Sequence, residues 1–431
     1  MPSRLERQAG HAPKGSVQAV TDPPRGAIDA PEGTATKLRP SVLRVGMVCP
    51  YSLSVPGGVQ AQVMALSRRL RLMGVEVRVL APCDGPPPDT FVTPLGDSLP
   101  TAANGSMAPI APDPSAQLRT IRALTDEEFD VLHVHEPFTP GPTQTAVLMH
   151  TAPIIATFHV AGESAAYKYL RGPVVAASHR LAHRVAVSPD ARELPFRYIG
   201  GEYEILYNGV ELDDYRNGST HPTTGPTIFF LGRHEERKGL DVLLAAMTQM
   251  PDDVTLWVAG NGPDTAHLRA VHAGDARVEW LGRLSDADKI ARMRGATVFC
   301  APSLHGESFG VVLVEAMAAG TAIVASGLDG YRNVATGGVD AVLVEPGEVD
   351  ALATALKQVL FDDELRNRLV EAGQRRCEDF SMTSLAECYL AHYRRIAADR
   401  DERRQMLAEA HERRRLSRML SRIVSRRPVP H

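Results

Sequence analysis

Cysteine pairs, long apolar runs and an excess of one charge are all missing from this 431-residue chain. Its five cysteines (Cys49, Cys83, Cys300, Cys377, Cys388) are scattered without C-x-x-C spacing, so neither a disulfide framework nor a cysteine zinc site is expected. Cys49 and Cys300 lie in apolar, strand-like runs, which fits a reducing cytoplasm. No uninterrupted apolar run reaches the roughly 18 residues of a transmembrane helix, and the opening MPSRLERQAGHAPKGSVQ has no apolar core of a secretory signal. A net charge of −4 gives no reason to expect nucleic acid. There is no P-loop and no clustered His/Cys set, so no metal is expected. GNGPDT (260–265) falls short of a dinucleotide fingerprint, because Thr takes its last position and Pro interrupts it.

What is present alternates between apolar strands and amphipathic helices. Residues 1–41 are rich in Pro, Gly, Ala and charge, without periodicity, and are expected to form a disordered arm. LRVGMVC (43–49) reads as a buried strand, followed by the loop PYSLSVPGGVQ. A helix follows with Val59, Val63, Leu66, Leu70 and Met73 on one face, stopped by Gly74. Further strands are expected at 75–82, 130–137, 153–159, 184–188 and 203–210. The polar stretch 213–225 reads as a linker, after which the alternation restarts at PTIFFLGR (226–233), with a helix over 239–250 and a strand over 254–262. VEWLG, TVFCAP, TAIVAS and AVLVEP supply four more strands. The expectation is α/β: two doubly wound parallel-sheet domains, 42–212 and 226–380, facing across a cleft. Residues 381–410 are expected to pack back on the first domain. In 411–431, Leu416, Met419, Leu420, Ile423 and Val424 oppose Arg414, Arg415, Arg418, Arg422 and Arg426. That pattern suits an anionic membrane surface, or a partner helix.

The densest apolar stretch, FGVVLVEAMAAGTAIVASG (309–327), contains one charged residue, Glu315. A buried carboxylate needs donors. Glu307 lies eight residues earlier, between Gly306 and Ser308, where loop should become helix; eight helical steps rotate by about 80°, so both carboxylates are expected to face one cleft. Beside a helix N-terminus they suit a polyhydroxyl ligand that also carries phosphate. The alternative pairs Glu315 with an internal Lys or Arg and leaves Glu307 as a solvated cap. PGGVQ (56–60) puts Gly57 and Gly58 just before a helix, where phosphate can approach backbone N–H groups. His159 ends an apolar strand at the cleft. Arg233, Arg237 and Lys238 stand at and just past the end of the second domain's first strand and suit a diphosphate clamp, the alternative being solvated surface charges. Asp286 and Asp288 open a helix and read as caps rather than metal ligands.

GESFGVVLVEAMAAG (306–320) resembles the E-x7-E signature of retaining GT-B glycosyltransferases, the large family that includes sucrose synthases and bacterial α-mannosyltransferases. The resemblance covers about 43–395, with LGRHEERKG, GNGP and APSLHGESFG in the family's order. GMVCPYS-VPGGVQ, DVLHVHEP, ATFH and SFGVVLVEAMAAGTAIVAS are most similar to phosphatidylinositol α-mannosyltransferases, which move mannose from GDP-mannose to inositol at the cytoplasmic membrane face. The resemblance implies that Gly58, Arg233 and Lys238 bind diphosphate, Glu307 the sugar hydroxyls and Glu315 the ribose diol. Ser308, Phe309, Gly310 and Val311 would offer backbone N–H groups to phosphate. Leu284, Asp286 and Lys289 would lie along the nucleotide, and His159 near the reacting carbon. Tyr51, Gln60 and Asn104 match positions expected to touch the inositol head group. No cofactor beyond the donor is implied, and the protein would act as a monomer, peripheral on the inner face of the membrane.

The departures cluster on the acceptor side. Phe138 stands where Asn is expected, Val160 and Ser164 where Thr and Lys are, and Pro109 where an Arg would bind phosphate. Two lost cations would each weaken a lipid-phosphate contact by about 1.5–3 kcal/mol. The alternatives are a hexosyltransferase using another UDP- or GDP-sugar or another acceptor, and a non-catalytic sugar-nucleotide-binding or membrane-scaffold protein.

Overall fold

A computed structural model describes residues 42–103, 106–160, 167, 171–307 and 309–424; beyond Glu402 only the backbone of the last helix, and Met406, is described. The expected arm at 1–41 lies outside the described residues, as do Asn104, Ser164, Ser308 and the side chains of the basic tail.

The first part contains strands β1 (Arg44–Val48), β2 (Glu76–Ala81), β3 (Val92–Pro94), β4 (Leu99–Ala103), β5 (Ser106–Ile110), β6 (Val131–His135), β7 (Ile154–Phe158), β8 (Leu181–Ala186) and β9 (Glu204–Ile205). Seven of them form a parallel sheet in the order β3-β2-β1-β6-β7-β8-β9, while β4 and β5 make a separate antiparallel hairpin. Segments such as VLHVH and IIATF are buried along their whole length, as strands covered on both faces must be. The order reverses between β1 and β6, which opens a crevice beyond their carboxyl ends. One face packs Val45, Met47, Val79, Ile155 and Val185 against the helix Gly58–Leu72 and the final helix. That final helix, Met382–Val424, follows the second domain yet lays Met382, Tyr389, Tyr393 and Ile396 on the first sheet. Each is almost wholly buried, worth on the order of 1.5–3 kcal/mol per large apolar side chain.

The second part repeats the plan with β10 (Thr227–Leu231), β11 (Thr255–Ala259), β12 (Val278–Gly282), β13 (Val298–Ala301), β14 (Ala322–Ser326) and β15 (Val342–Val344). They form a parallel sheet in the order β12-β11-β10-β13-β14-β15, again with the switch at the first strand.

Two expectations are corrected. The strand over 203–210 is only Glu204–Ile205, because the chain then leaves the sheet. Tyr207 stacks on Phe309 at 5.5 Å in the second core, and Val210 bridges to the segment before the last helix. There the Val210 N–H donates to the Phe380 carbonyl (2.8 Å) and the Met382 N–H to the Val210 carbonyl (2.9 Å), so the two chain crossings are bonded together. The polar stretch 213–225 begins helical, at Leu212–Asn217. Asp213 and Asp214 suit a helix's first turn, and Tyr215 is buried.

Candidate active site

The second sheet's strand ends build a basic-acidic cluster. After β10 a short 3₁₀ turn, Glu236–Lys238, carries Arg237 and Lys238. Gly239 follows with φ +62°, and a Cβ there would lie 2.0 Å from the Pro302 carbonyl oxygen. Glycine at that point lets the turn close onto the loop after β13, which holds Ser303 and Glu307. Lys238 Nζ lies 2.5 Å from Glu307 Oε1, and Arg237 Nη1 lies 3.5 Å from the same oxygen. The Ser303 hydroxyl donates to it at 3.0 Å. With its proton committed there, Ser303 accepts from the Tyr331 hydroxyl, also at 3.0 Å. Arg237 is further held by Glu235 at 2.6 Å. Arg233 is more than half exposed, 3.6 Å from Glu235, and is the most open cation of the three.

Glu307 precedes the helix Val311–Ala319 by four residues, so the argument from eight helical steps does not hold. Instead the loop bends at Gly310 (φ +92°), whose Cβ would sit 2.6 Å from the Tyr331 ring. Gly310 is the N-cap, and among the described residues no side chain caps this helix; the Leu313 N–H already donates to the Gly310 carbonyl (2.9 Å), which leaves the N–H groups of Val311 and Val312 for an anion. Val311 opens the helix half-buried, whereas the Phe309 ring is core, stacked against Tyr207 and edge-on to Phe380. Only its backbone can serve a ligand.

Glu315 is 13% exposed and takes an ion pair from Lys289 Nζ at 3.0 Å. Pairing with an internal lysine is the alternative the sequence left open. Tyr215 also bonds to Glu315; burial, then the carboxylate charge, push its phenol pKa up. Lys289 sits over the Tyr215 ring at 5.4 Å. Leu284 packs on the same core. Asp286 is 98% exposed, and Ser285, not Asp286, caps the helix Asp286–Gly295.

In the first domain, Gly57 caps the helix Gly58–Leu72 in extended conformation, and a Cβ on Gly58 would meet nothing within 4 Å. Gln60, expected at the acceptor, is folded onto its own loop. Its amide donates to the Ser52 carbonyl (3.3 Å) and the Val55 carbonyl (3.1 Å), and it is 8% exposed. Tyr51 is bridged to Ile110 and bonded to Thr139; burial, then the Glu136 charge, raise its pKa. Phe138 is buried, near Phe158 (6.2 Å) and edge-on to Tyr167 (5.8 Å).

His159 is buried rather than projecting freely, and it belongs to a stack not foreseen from the sequence. His135 Nδ1 and His159 Nε2 share a hydrogen bond of 2.9 Å. The His135 and His133 rings stack at 4.2 Å, and His133 bonds Tyr393 (2.6 Å) and Thr157 (2.7 Å). Burial pulls the pKa of His133 and of His159 down to about 3, and that of His135 well below its usual value, so all three are neutral near pH 7. Glu136, at φ +48°, accepts from the backbone N–H groups of His159 and of Val160 (2.8 Å). Burial pushes its carboxyl up to about 7 despite those donors. Two histidines at period two in an otherwise apolar strand were the available signal.

Two parallel-sheet domains with an acidic-basic cluster at the strand ends are the GT-B plan of nucleotide-sugar-dependent glycosyltransferases. Solved structures agree on the fold: a glycosyltransferase from Rickettsia africae (TM-score 0.65, 17% identity) covers 83% of this chain and 99% of its own. The sucrose-phosphate synthase of Thermosynechococcus elongatus (0.65, 20%) covers 83% and 100%. Residues 212–376 match the model "Glycosyl transferases group 1" and 56–214 "Glycosyltransferase Family 4". The phosphatidyl-myo-inositol mannosyltransferase of Mycobacterium leprae is 40% identical over 368 residues, 82% of this chain and 97% of that protein. The one of the same name from Mycolicibacterium smegmatis is 38% identical over 383 residues, 84% and 98%. The chain belongs to this family of GT4-type glycosyltransferases, and it is a hexosyltransferase.

Proposed function

We propose that the protein transfers mannose from GDP-mannose to the inositol ring of phosphatidylinositol, with retention, at the anionic cytoplasmic face of the membrane. The observation that carries this reading is the convergence of Lys238, Arg237 and Ser303 on one oxygen of Glu307, beside the Gly310-capped N-terminus of the helix Val311–Ala319. The relatives' name supports the substrate pair.

A diphosphate arriving at the helix N-terminus meets Arg233, Arg237 and Lys238 within a few residues of one another. These cations and the backbone N–H groups stabilise charge on the departing GDP as the sugar becomes oxocarbenium-like. Glu307, fixed by three donors, presents its carboxylate to the sugar hydroxyls, and Glu315 takes the ribose diol. No divalent cation is assigned a part, and undiminished turnover in excess chelator tests that. The acceptor hydroxyl attacks from the side on which GDP leaves, and a donor phosphate oxygen takes its proton. His159, neutral and tied to His135, orients the sugar instead of attacking it. One chain supplies both sides of the cleft, so the enzyme acts as a monomer, with the tail 411–431 meeting the lipid surface.

A second reading keeps this chemistry with a different acceptor. It is favoured by Phe138, which is buried among aromatic rings where a polar residue is expected, and by Pro109 in β5 in place of an Arg. Incubation with GDP-mannose or UDP-sugars and a panel of lipids, with products read by mass, separates the two.

A further inference from the structure

At the opposite end of the first sheet from the donor site, three potential metal ligands from distant parts of the chain converge. His183 is in β8, Glu204 in β9 and His392 on the final helix. The register pairs Val185 with Glu204, and His183 lies two residues before Val185. Side chains two apart on a strand share a face, so His183 and Glu204 both point to the face on which the final helix docks. The rings of His183 and His392 stack at 4.3 Å. Both aim Nε2 at the same carboxylate oxygen: His183 at 2.7 Å and His392 at 3.0 Å from Glu204 Oε2. One ligand atom from each residue lies within 4.8 Å of the others. The register also pairs His183 with Ile155, four residues before His159, about 13 Å along the strand at 3.3 Å per residue.

We infer that His183, Glu204 and His392 bind a divalent transition-metal ion, with Zn²⁺ the best match, clamping the final helix to the edge of the first sheet. Two imidazole nitrogens and one carboxylate oxygen are a borderline-soft donor set that suits Zn²⁺ and disfavours Mg²⁺ or Ca²⁺. Ligand atoms about 3.3 Å apart surround a tetrahedral ion with bonds of about 2.0–2.1 Å, so each imidazole need draw back only a fraction of an ångström from the Glu204 carboxylate, while the two imidazole ligand atoms lie within 4.8 Å of each other. His183 and Glu204 also line a cavity of about 560 Å³, with Arg184, Arg192, Glu202 and Tyr203, from which water can supply a fourth ligand. Metal entry displaces the hydrogen bonds that the imidazoles make to Glu204. Nearby cations oppose it: Arg184 and Arg192 line the adjoining cavity, and Arg395 Nη2 lies 3.3 Å from His392 Nδ1. An imidazole ligating through Nε2 carries its proton on Nδ1, so the exposed Arg395 must swing aside, and its charge weakens affinity.

The test uses the full chain, stripped with chelator and dialysed, then titrated with ZnCl₂ by calorimetry and followed by thermal melting. The expected result is one tight Zn²⁺ per chain with a raised Tm, a tetrahedral visible spectrum with Co²⁺, and no response to Mg²⁺. His183→Asn/His392→Gln loses the site and the Co²⁺ spectrum while far-UV circular dichroism is kept, and Arg395→Ala binds more tightly. No stoichiometric Zn²⁺ binding by the wild type, or undiminished binding by the folded double variant, overturns the inference.

Discussion

Lys238 Nζ and Glu307 Oε1 stand 2.5 Å apart, so the proposed clamp cation and the proposed sugar-binding acid are held as one unit. Both are largely buried, with side chains 19% and 12% exposed. Such a pair is pre-organised: under the proposed function a diphosphate would recruit a lysine already in place, and Glu307 keeps its orientation through Ser303 and Arg237. Lys238→Ala and Glu307→Ala are each expected to cut kcat by about 10²–10³-fold, the scale for losing one group that meets transition-state charge. The check is steady-state turnover, with circular dichroism to confirm folding.

Lys289 is the charge partner of Glu315 in the apolar core of the second domain. Lys289→Met leaves that carboxylate with the Tyr215 hydroxyl, and should cost about 1–3 kcal/mol in urea unfolding. Glu315→Gln should instead weaken GDP binding with little change in stability, measured by calorimetry.

Gly310 tests whether backbone geometry sets the site. An alanine there meets the Tyr331 ring at 2.6 Å and must hold φ near +92°. Gly310→Ala is expected to destabilise by about 1–3 kcal/mol and to reduce turnover further, because displacing Tyr331 removes the hydroxyl that steadies Ser303 beside Glu307. A melting curve with paired kinetics reads both effects.

The buried histidines predict acid lability. His133 and His159 titrate near 3 in the fold against 6.5 when unfolded, and His135 is lowered too. The unfolded chain therefore binds more protons below pH 6.5, and stability falls as pH drops from 6.5 toward 3. Glu136 works the other way: its pKa is raised from 4.5 to about 7, so its contribution falls as pH rises across that window. Three imidazoles outweigh one carboxylate, and the net expectation is a falling Tm below pH 6.5. His133→Phe should flatten that slope.

Deleting 411–431 is expected to weaken co-sedimentation with phosphatidylglycerol vesicles and to leave binding to neutral vesicles unchanged, a contrast read at low and at high salt.

The parallel strands were legible because burial on both faces writes nearly unbroken apolar runs, as in IIATF and AIVAS. Local signals failed where partners are remote. The hairpin β4–β5 joins LPTAA to SMAPI, segments whose prolines hide a strand pattern. The His135–His159 bond depends on the β6–β7 register, which no local period reveals. The Gln60 amide bonds backbone carbonyls of its own loop, contacts that composition does not reveal. At the candidate donor site the residue types were readable, since a lone glutamate in an apolar helix and an RK pair after a strand demand partners. Their pairing, Lys238 with Glu307 and Lys289 with Glu315, became visible only in three dimensions.

The most direct test is to incubate the purified protein with GDP-mannose and phosphatidylinositol in mixed vesicles and to follow lipid mass and GDP release together. The account predicts one hexose added to the lipid for each GDP released, in the α configuration, and neither product from Glu307→Ala. GDP release without a hexosylated lipid, or full transfer by Glu307→Ala, would contradict it.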